Sequence, residues 1–270
     1  MMLYLGIEFD SVLMQLRVDI DKCSELRSEL VKWIRKTVAT KTDIQSILGK
    51  LMWVARAVKY SRCFIQRIIA ECKSLTYQSQ KVTLSENIKK DLLWWYCYMQ
   101  VFNGVEFLVP NRVEIKVAGD ACPNGLGSWN MNSHEYFSRQ FPFVLLDPSV
   151  PIHIKEFICV IIAVRIWGEQ WQGKQCEIYC DNDAVCDVIT YMKPKDPEMQ
   201  RYLREFLFWV CKFNFKPVVS KIGTKENNVA DFISRNYSIN DANTFFSKND
   251  LKNMRNIVID DNYFCLHADW

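Results

Sequence analysis

Residues Val113 to Trp129, VEIKVAGDACPNGLGSW, constrain this chain more than any other stretch. Val113, Ile115 and Val117 alternate with polar residues, the period of a strand with one buried face. Asp120 falls where that strand ends. Pro123, Asn124, Gly125 and Gly127 then turn the chain into a second strand. A carboxylate in that position stands at the edge of a sheet, where a cation can reach it. A lone Asp there also has an ordinary use, which is to start the turn.

Three later carboxylates extend the pattern. Glu156 lies in HIKEFICVIIAVRIW, a helical stretch; Asp181 follows the strand CEIYC; Asp231 lies in ENNVADFISR, at the start of a short helix. Each has an ordinary reading too. Glu156 suits the positive end of a helix dipole. Asp181 could cap a helix, a role that Asn182 and Asp183 fit as well. Asp231 could be a solvated early-helix acid. Taken together, the order is strand-end Asp, helix Glu, strand-end Asp, helix-start Asp. Such a set can converge on two hard divalent cations, which prefer oxygen to sulfur or imidazole. Four carboxylates that close repel one another, so their pKa values should rise without metal, and metal binding should release protons.

The chain has 270 residues, 49% hydrophobic and 24% charged, enough for two modest domains and unlike a disordered chain. The net charge is only +3, but it is unevenly spread. Lys22 to Thr76 holds 12 Lys/Arg against 4 Asp/Glu, whereas Val113 to Asn236 holds 14 against 15. A basic part beside a near-neutral part with clustered acids suits a polyanion; the bland alternative is a well-solvated face. Arg35, Lys36, Lys41, Lys50, Arg56, Lys59, Arg62 and Arg67 are the candidates for tracking phosphates. The 11 cysteines form no CxxC pair, and the 3 histidines do not cluster near them, so neither a zinc site nor a disulfide framework is indicated. Cys159, Cys176, Cys180 and Cys211 sit in apolar runs and read as small core residues. A reducing intracellular compartment, cytoplasm or nucleus, is expected. No secretory signal and no apolar run of membrane-spanning length is seen. The opening MMLYLGIEFD starts directly in a strand, as a piece of something longer would.

Along the chain, Leu3–Phe9 and Leu13–Val18 read as a hairpin turning at Asp10–Ser11. Asp19 or Asp21 is expected to cap a helix running to Lys36. Thr40 with Asp43 should start a second helix, and Ser61 a third that ends near Lys73. Gly49 lies inside the second helix, where it costs about 1 kcal/mol against Ala. Close approach of a neighbouring helix is the favoured compensation, and of a nucleic-acid backbone the other. Trp33, Trp53, Trp94 and Trp95 read as core rather than base platforms. Ser85 starts SENIKKDLLWWYCYM; Asn103–Gly104 ends it, and Pro110–Asn111 marks a boundary. From Val113 strands and helices alternate: strand 135–141, helix 154–167, strand 175–180, helix 183–192, helix 198–212, strand 215–222 and helix 228–234. The Asn- and Asp-rich remainder reads as a flexible tail or linker.

The four acids and their local motifs, from Val113 to Asn236, resemble ribonuclease H. More widely, YLGIEFD, TDIQSILGKLMWVARAVKYSRCFIQRII and DLLWWYCYM with this half resemble the C-terminal part of a reverse transcriptase, of the kind in DIRS-type and Ngaro-type retrotransposons. The resemblance implies an α/β, RNase H-like mixed five-stranded sheet with flanking helices, preceded by a helical thumb-like subdomain. It divides the chain into a palm-end hairpin remnant (1–20), a thumb-like part (21–76), a connecting helix and linker (77–112), the nuclease-like part (113–236) and a tail (237–270). Leu5–Gly6 corresponds to a primer-grip motif. The implied activity is hydrolysis of the RNA strand of RNA–DNA hybrids with two Mg²⁺ ions, Mn²⁺ being an alternative. Asp120 would bridge the ions, with Glu156, Asp181 and Asp231 completing their coordination. Ser128 and Asn182 would touch the hybrid's sugars, the 2′-OH marking RNA. Asn227 or Asn228 matches the Asn often found before the family's last Asp, and Asn228 is the one assigned to nucleic acid. Hybrid or other nucleic acid is the implied partner, together with a palm and fingers part; no membrane is.

The sequence departs from the family in three places. The loop KIGTKENN ahead of Asp231 lacks the family's His. Only Lys193 and Lys195 hint at its basic handle. No polymerase carboxylate pair precedes Leu3, so DNA synthesis by this chain alone is not expected. The alternative reading is a non-catalytic nucleic-acid-binding remnant of a retroelement polyprotein. A transposase or integrase of the same broad fold is disfavoured because the helix Glu comes second.

Overall fold

The computed structural model describes every residue except Leu5, Asn103, Val109, Pro110, Asn111 and Lys195, and leaves out the Glu106 side chain. Leu5 of the Leu5–Gly6 pair, the Asn103 turn, the Pro110–Asn111 boundary and Lys195 therefore lie outside the described residues. The chain divides into two compact units, Met1–Leu108 with Ala268–Trp270, and Val109–His267.

The first unit runs β1 (Met2–Tyr4), β2 (Ile7–Asp10), β3 (Gln15–Val18), α1 (Ile20–Arg35), β4 (Val38–Thr40), α2 (Lys41–Val54), α3 (Gln66–Ser74), β5 (Lys81–Thr83), α4 (Glu86–Val101) and β6 (Val105–Phe107). Strands pair in the order β1-β2-β3-β6, and β4 pairs β5. The expected hairpin is met only in its second half, the β2–β3 pair: the run expected as one strand is split, with Met2–Tyr4 pairing antiparallel to Ile7–Asp10. The β2–β3 turn is held by Asp10, whose carboxylate accepts from the N–H groups of Val12 and Leu13. The helix starts follow the capping residues. Asp19 accepts from Asp21 N–H, Thr40 and Asp43 form a reciprocal capping box, and Ser85 accepts from Ile88 N–H. The third helix differs from expectation. Ser61 caps nothing; its hydroxyl donates to the Val58 carbonyl at 2.6 Å, a 3₁₀ turn spans Ser61–Phe64, and α3 begins at Gln66. Trp94 and Trp95 are fully buried and Trp33 is nearly so, with Phe64 4.3 Å from Trp94 between ring centroids.

The second unit runs β7 (Val113–Ala121), β8 (Gly125–Asn130), β9 (Glu135–Gln140), α5 (Ile152–Trp167), β10 (Gln175–Cys180), α6 (Asp183–Tyr191), α7 (Pro197–Phe213), β11 (Lys216–Lys221), α8 (Asn228–Arg235), α9 (Ile239–Lys248) and β12 (Arg255–Asn256). The sheet order is β11-β10-β7-β8-β9-β12. β7, β8 and β9 are antiparallel neighbours; β10 adds parallel to β7, and β11 parallel to β10. A three-stranded meander extended beside its first strand by two parallel strands is the ribonuclease H-like arrangement, a mixed sheet with flanking helices.

Side chains of paired residues share a face. Gly119 pairs Ser128, and a Cβ on Gly119 would meet Cys159 of α5; Asp120 pairs Gly127, and a Cβ on Gly127 would meet Ile233 and Ser234 of α8. α5 and α8 thus cover opposite faces, and Asp120 points to the α8 side.

Two expectations are corrected. The sheet has a sixth strand, because β12 pairs parallel with β9. The segment after Asn236 is not a free tail: Ala242 and Phe246 of α9 are buried with Tyr136, Val229 and Ile233. Farther on, Arg165 of α5 donates to the carbonyls of Asn262, Tyr263 and Cys265, and the His267 ring stacks on Phe208 at 4.1 Å. Among the described residues no helix is long and apolar enough to cross a membrane.

Candidate active site

β7 carries Asp120 next to its last residue, and β10 ends one residue before Asp181, so parallel pairing sets both acids at the same end of adjacent strands. α5 is apolar nearly all round and buried, and it carries Glu156 to that end at 5% exposure. α8 approaches β8 closely because Gly127 has no side chain: a Cβ there would lie 2.6 Å from Ile233 Cγ1 and 2.7 Å from Ser234 N. That approach lets Ser234 Oγ donate to Asp120 Oδ2 at 2.6 Å. Asp231 sits one turn back on α8, held by Arg235 through Nε at 2.8 Å and Nη2 at 2.7 Å.

The charges act on one another. Burial raises the Asp120 pKa, with Asp181 and Asp231 adding repulsion and the Ser234 hydroxyl opposing. Glu156 is pushed up to about 9, first by burial and then by Asp120 and Asp181, although the Ala121 backbone N–H favours the anion. One oxygen of Glu156, Oε2, is buried without a hydrogen-bond partner. A desolvated carboxylate oxygen facing two other acids fits a divalent cation, which would replace repulsion by attraction.

Asn182 takes the capping role at α6, accepting from the N–H groups of Ala184 and Val185. It is therefore engaged as a cap, and Asp181 is left half-exposed, its Oδ2 accepting from Thr224 Oγ1 at 3.0 Å. Ser128 is fully buried and donates to the Ala118 carbonyl at 2.8 Å, which corrects its expected contact with sugars. Asn228 is exposed at the first turn of α8, whereas Asn227 is buried and donates from Nδ2 to Gly119 O at 3.0 Å.

The eight basic candidates separate. Lys36 pairs with Asp43, Lys50 with Glu29, and Arg67 grips the fully buried Asp91 with Nη1 at 2.9 and 2.7 Å from its two oxygens. Lys41 donates to Leu75 O at 2.7 Å, and Lys59 reaches Phe107 O at 3.5 Å. These side chains serve the fold of the first unit, which corrects their reading as free phosphate contacts. Arg35, Arg56 and Arg62 are exposed and have no ion pair among the described residues.

Sequence reasoning missed Ser234, Arg235, Thr224 and Cys180. Asp231 and Arg235 at i and i+4 form a readable helix pair. Nothing local marks Thr224, whose partner is 43 residues away.

No protein-family model and no curated protein matches the sequence. Among solved structures, the chain is similar to the N-terminal RNase H domain of a Mycobacterium tuberculosis protein, solved as a fusion with maltose-binding protein, at 14% identity over 44% of this chain and 95% of that one, TM-score 0.35. It is similar to RNase H1 from the halophilic archaeon Halobacterium salinarum at 13% identity over 48% and 98%, TM-score 0.35. A foamy viral protease–reverse transcriptase, in complex with an RNA/DNA hybrid, aligns at 14% identity over 80% of this chain and 28% of that one, TM-score 0.29. Likenesses this remote decide nothing about chemistry; the strand order and the site geometry stand without them.

Proposed function

We propose that the chain is a metal-dependent nuclease that hydrolyses the RNA strand of RNA–DNA hybrids, acting as a fragment of a retroelement reverse transcriptase. One observation carries the reading: Asp120, Glu156, Asp181 and Asp231 interact at one end of the sheet, and a buried Glu156 oxygen there has no partner. Asp120, Glu156, Asp181 and Asp231 would hold two Mg²⁺ or Mn²⁺ ions. Such ions, when bound, acidify a water and neutralise charge on the phosphate. The protein's own part is preparation. Ser234 orients Asp120, Thr224 orients Asp181, and Arg235 fixes Asp231 while leaving its second oxygen available. The buried base of the site strengthens every charge interaction within it. Arg35, Arg56 and Arg62 are the basic residues assigned to the sugar–phosphate backbone.

The test is a labelled RNA–DNA hybrid in Mg²⁺, with the parent beside Asp181→Asn. Cleavage of the RNA strand by the parent, abolished in the variant and by chelation, is expected. Binding without cleavage by the parent overturns the enzyme reading in favour of a non-catalytic binding module.

A further inference from the structure

Cys180 ends β10 one residue ahead of Asp181, and its apolar neighbours make it an ordinary core thiol in sequence. Its Sγ, a Glu156 oxygen and an Asp181 oxygen nevertheless lie within 4.8 Å of one another. Glu156 is 5% exposed and its Oε2 is unpartnered. The cradle that faces the cation therefore contains sulfur as well as oxygen. Mg²⁺ has no use for a thiol, whereas Zn²⁺ and Cd²⁺ bind thiolate strongly.

We propose that Glu156, Cys180 and Asp181 form a binding site for a thiophilic divalent cation of the Zn²⁺ class. In a tetrahedral Zn²⁺ site, metal–ligand bonds of about 2.0–2.3 Å put ligand atoms roughly 3.3–3.8 Å apart. With all three atoms within 4.8 Å of one another, the contraction needed is at most about 1–1.5 Å on that scale, and half-exposed Asp181 has the freedom to close it. Three protein ligands leave a fourth position for water. On binding, the Cys180 S–H bond breaks, its proton leaves to solvent, and the thiolate bonds the ion with no change of oxidation state. Because two ligands are shared with the proposed Mg²⁺ site, a thiophilic ion excludes Mg²⁺ chemistry. The binding site stands on its residues alone; only this inhibitory consequence rests on the nuclease reading.

Cd²⁺ is the probe, added to the full chain and followed by thiolate-to-metal charge-transfer absorption. Other thiols in the chain also take Cd²⁺, so the difference between variants is decisive. The parent is expected to bind one more Cd²⁺ per chain than Cys180→Ser. Glu156→Gln, which leaves the sulfur in place, is expected to weaken that same ion by about tenfold or more. Cys265→Ser is expected to keep it, since that exposed thiol is outside the cluster. Equal Cd²⁺ binding by the parent and Cys180→Ser overturns the site, as does unchanged affinity in Glu156→Gln. In the cleavage assay, each protein scaled to its own uninhibited rate, Cd²⁺ should inhibit the parent at least about tenfold more strongly than Cys180→Ser. A parent that cleaves nothing overturns the nuclease reading, and the Cd²⁺ difference still decides the site.

Discussion

Glu156 sets the pH behaviour of the second unit. Its folded pKa stands at about 9 against an ordinary 4.5, because burial and the neighbouring Asp120 and Asp181 disfavour the anion. Between those values the folded chain keeps a proton that the unfolded chain has released. The native state then binds more protons than the unfolded state, so stability falls as pH rises through that window. Asp120, raised for the same first reason, acts in the same direction. In chelator, the thermal midpoint should drop steadily from pH 5 to pH 8, and Glu156→Gln should flatten much of that slope. Mg²⁺ should raise the midpoint more at pH 8 than at pH 5, since binding must displace the proton. A metal-free midpoint that climbs with pH would sink the account. Arg67 poses the converse case. Its guanidinium faces the fully buried Asp91 carboxylate, so Arg67→Ala should destabilise the first unit by about 3 kcal/mol. Urea unfolding measures it, and a loss under about 1 kcal/mol would mean the pair acts as an exposed one.

At the scale of elements, two glycines make opposite predictions. Gly127→Ala drives a Cβ to within 2.6–2.7 Å of Ile233 and of the Ser234 backbone, which cannot step aside without moving α8. A cost of about 1–3 kcal/mol is expected, with loss of hybrid cleavage beyond the loss of folded protein, because Ser234 leaves Asp120. Gly49→Ala meets nothing within 4 Å, so the favoured expectation that a neighbouring helix packs there is corrected. Gly49 borders a hollow of about 250 Å³ lined by Lys22, Leu26, Lys50 and Trp53. Ala there should stabilise the helix by about 1 kcal/mol and weaken hybrid binding severalfold, the other compensation proposed for this residue. Unchanged hybrid affinity, measured by titration, would leave the glycine without a reason. These cases also separate what was legible in the sequence from what was not. The period-2 and helical patterns marked the elements of the second unit to within a few residues, and Thr40, Asp43 and Ser85 marked helix starts in the first. The placement of the four acids at strand ends and on helices was legible because such positions are local. The Gly127–α8 approach, Thr224 on Asp181 and the carbonyl grip of Arg165 join residues far apart in sequence, and no local pattern encodes them.

For the molecule as a whole, charge misleads where it is counted rather than placed. The excess of Lys and Arg between Lys22 and Thr76 suggested eight phosphate contacts, yet Lys36, Lys50 and Arg67 are spent on Asp43, Glu29 and Asp91. Composition misleads in the same way after Asn236. Asn and Asp suggest a solvated tail, but Phe245 stacks on Phe232 at 4.0 Å and Phe246 meets Tyr136 edge-on at 4.8 Å. A few spaced aromatics outweigh many polar neighbours, because each buried ring removes far more apolar surface than a helix of this length otherwise offers. Phe246→Ala should therefore cost about 3–5 kcal/mol in denaturant unfolding, as a core site would, whereas a tail residue would cost nothing measurable. The same distinction governs binding. Each phosphate neutralised adds about 0.9 to the slope of log affinity against log salt on a B-form duplex, and about 0.7 on a single strand. Replacing both Arg56 and Arg62 by Ala should lower that slope by about 2, while replacing Lys36 should leave it unchanged because Asp43 already holds that charge. If Lys36→Ala moves the slope as far as an arginine does, its ion pair opens when nucleic acid arrives, and the basic face is wider than its resting geometry.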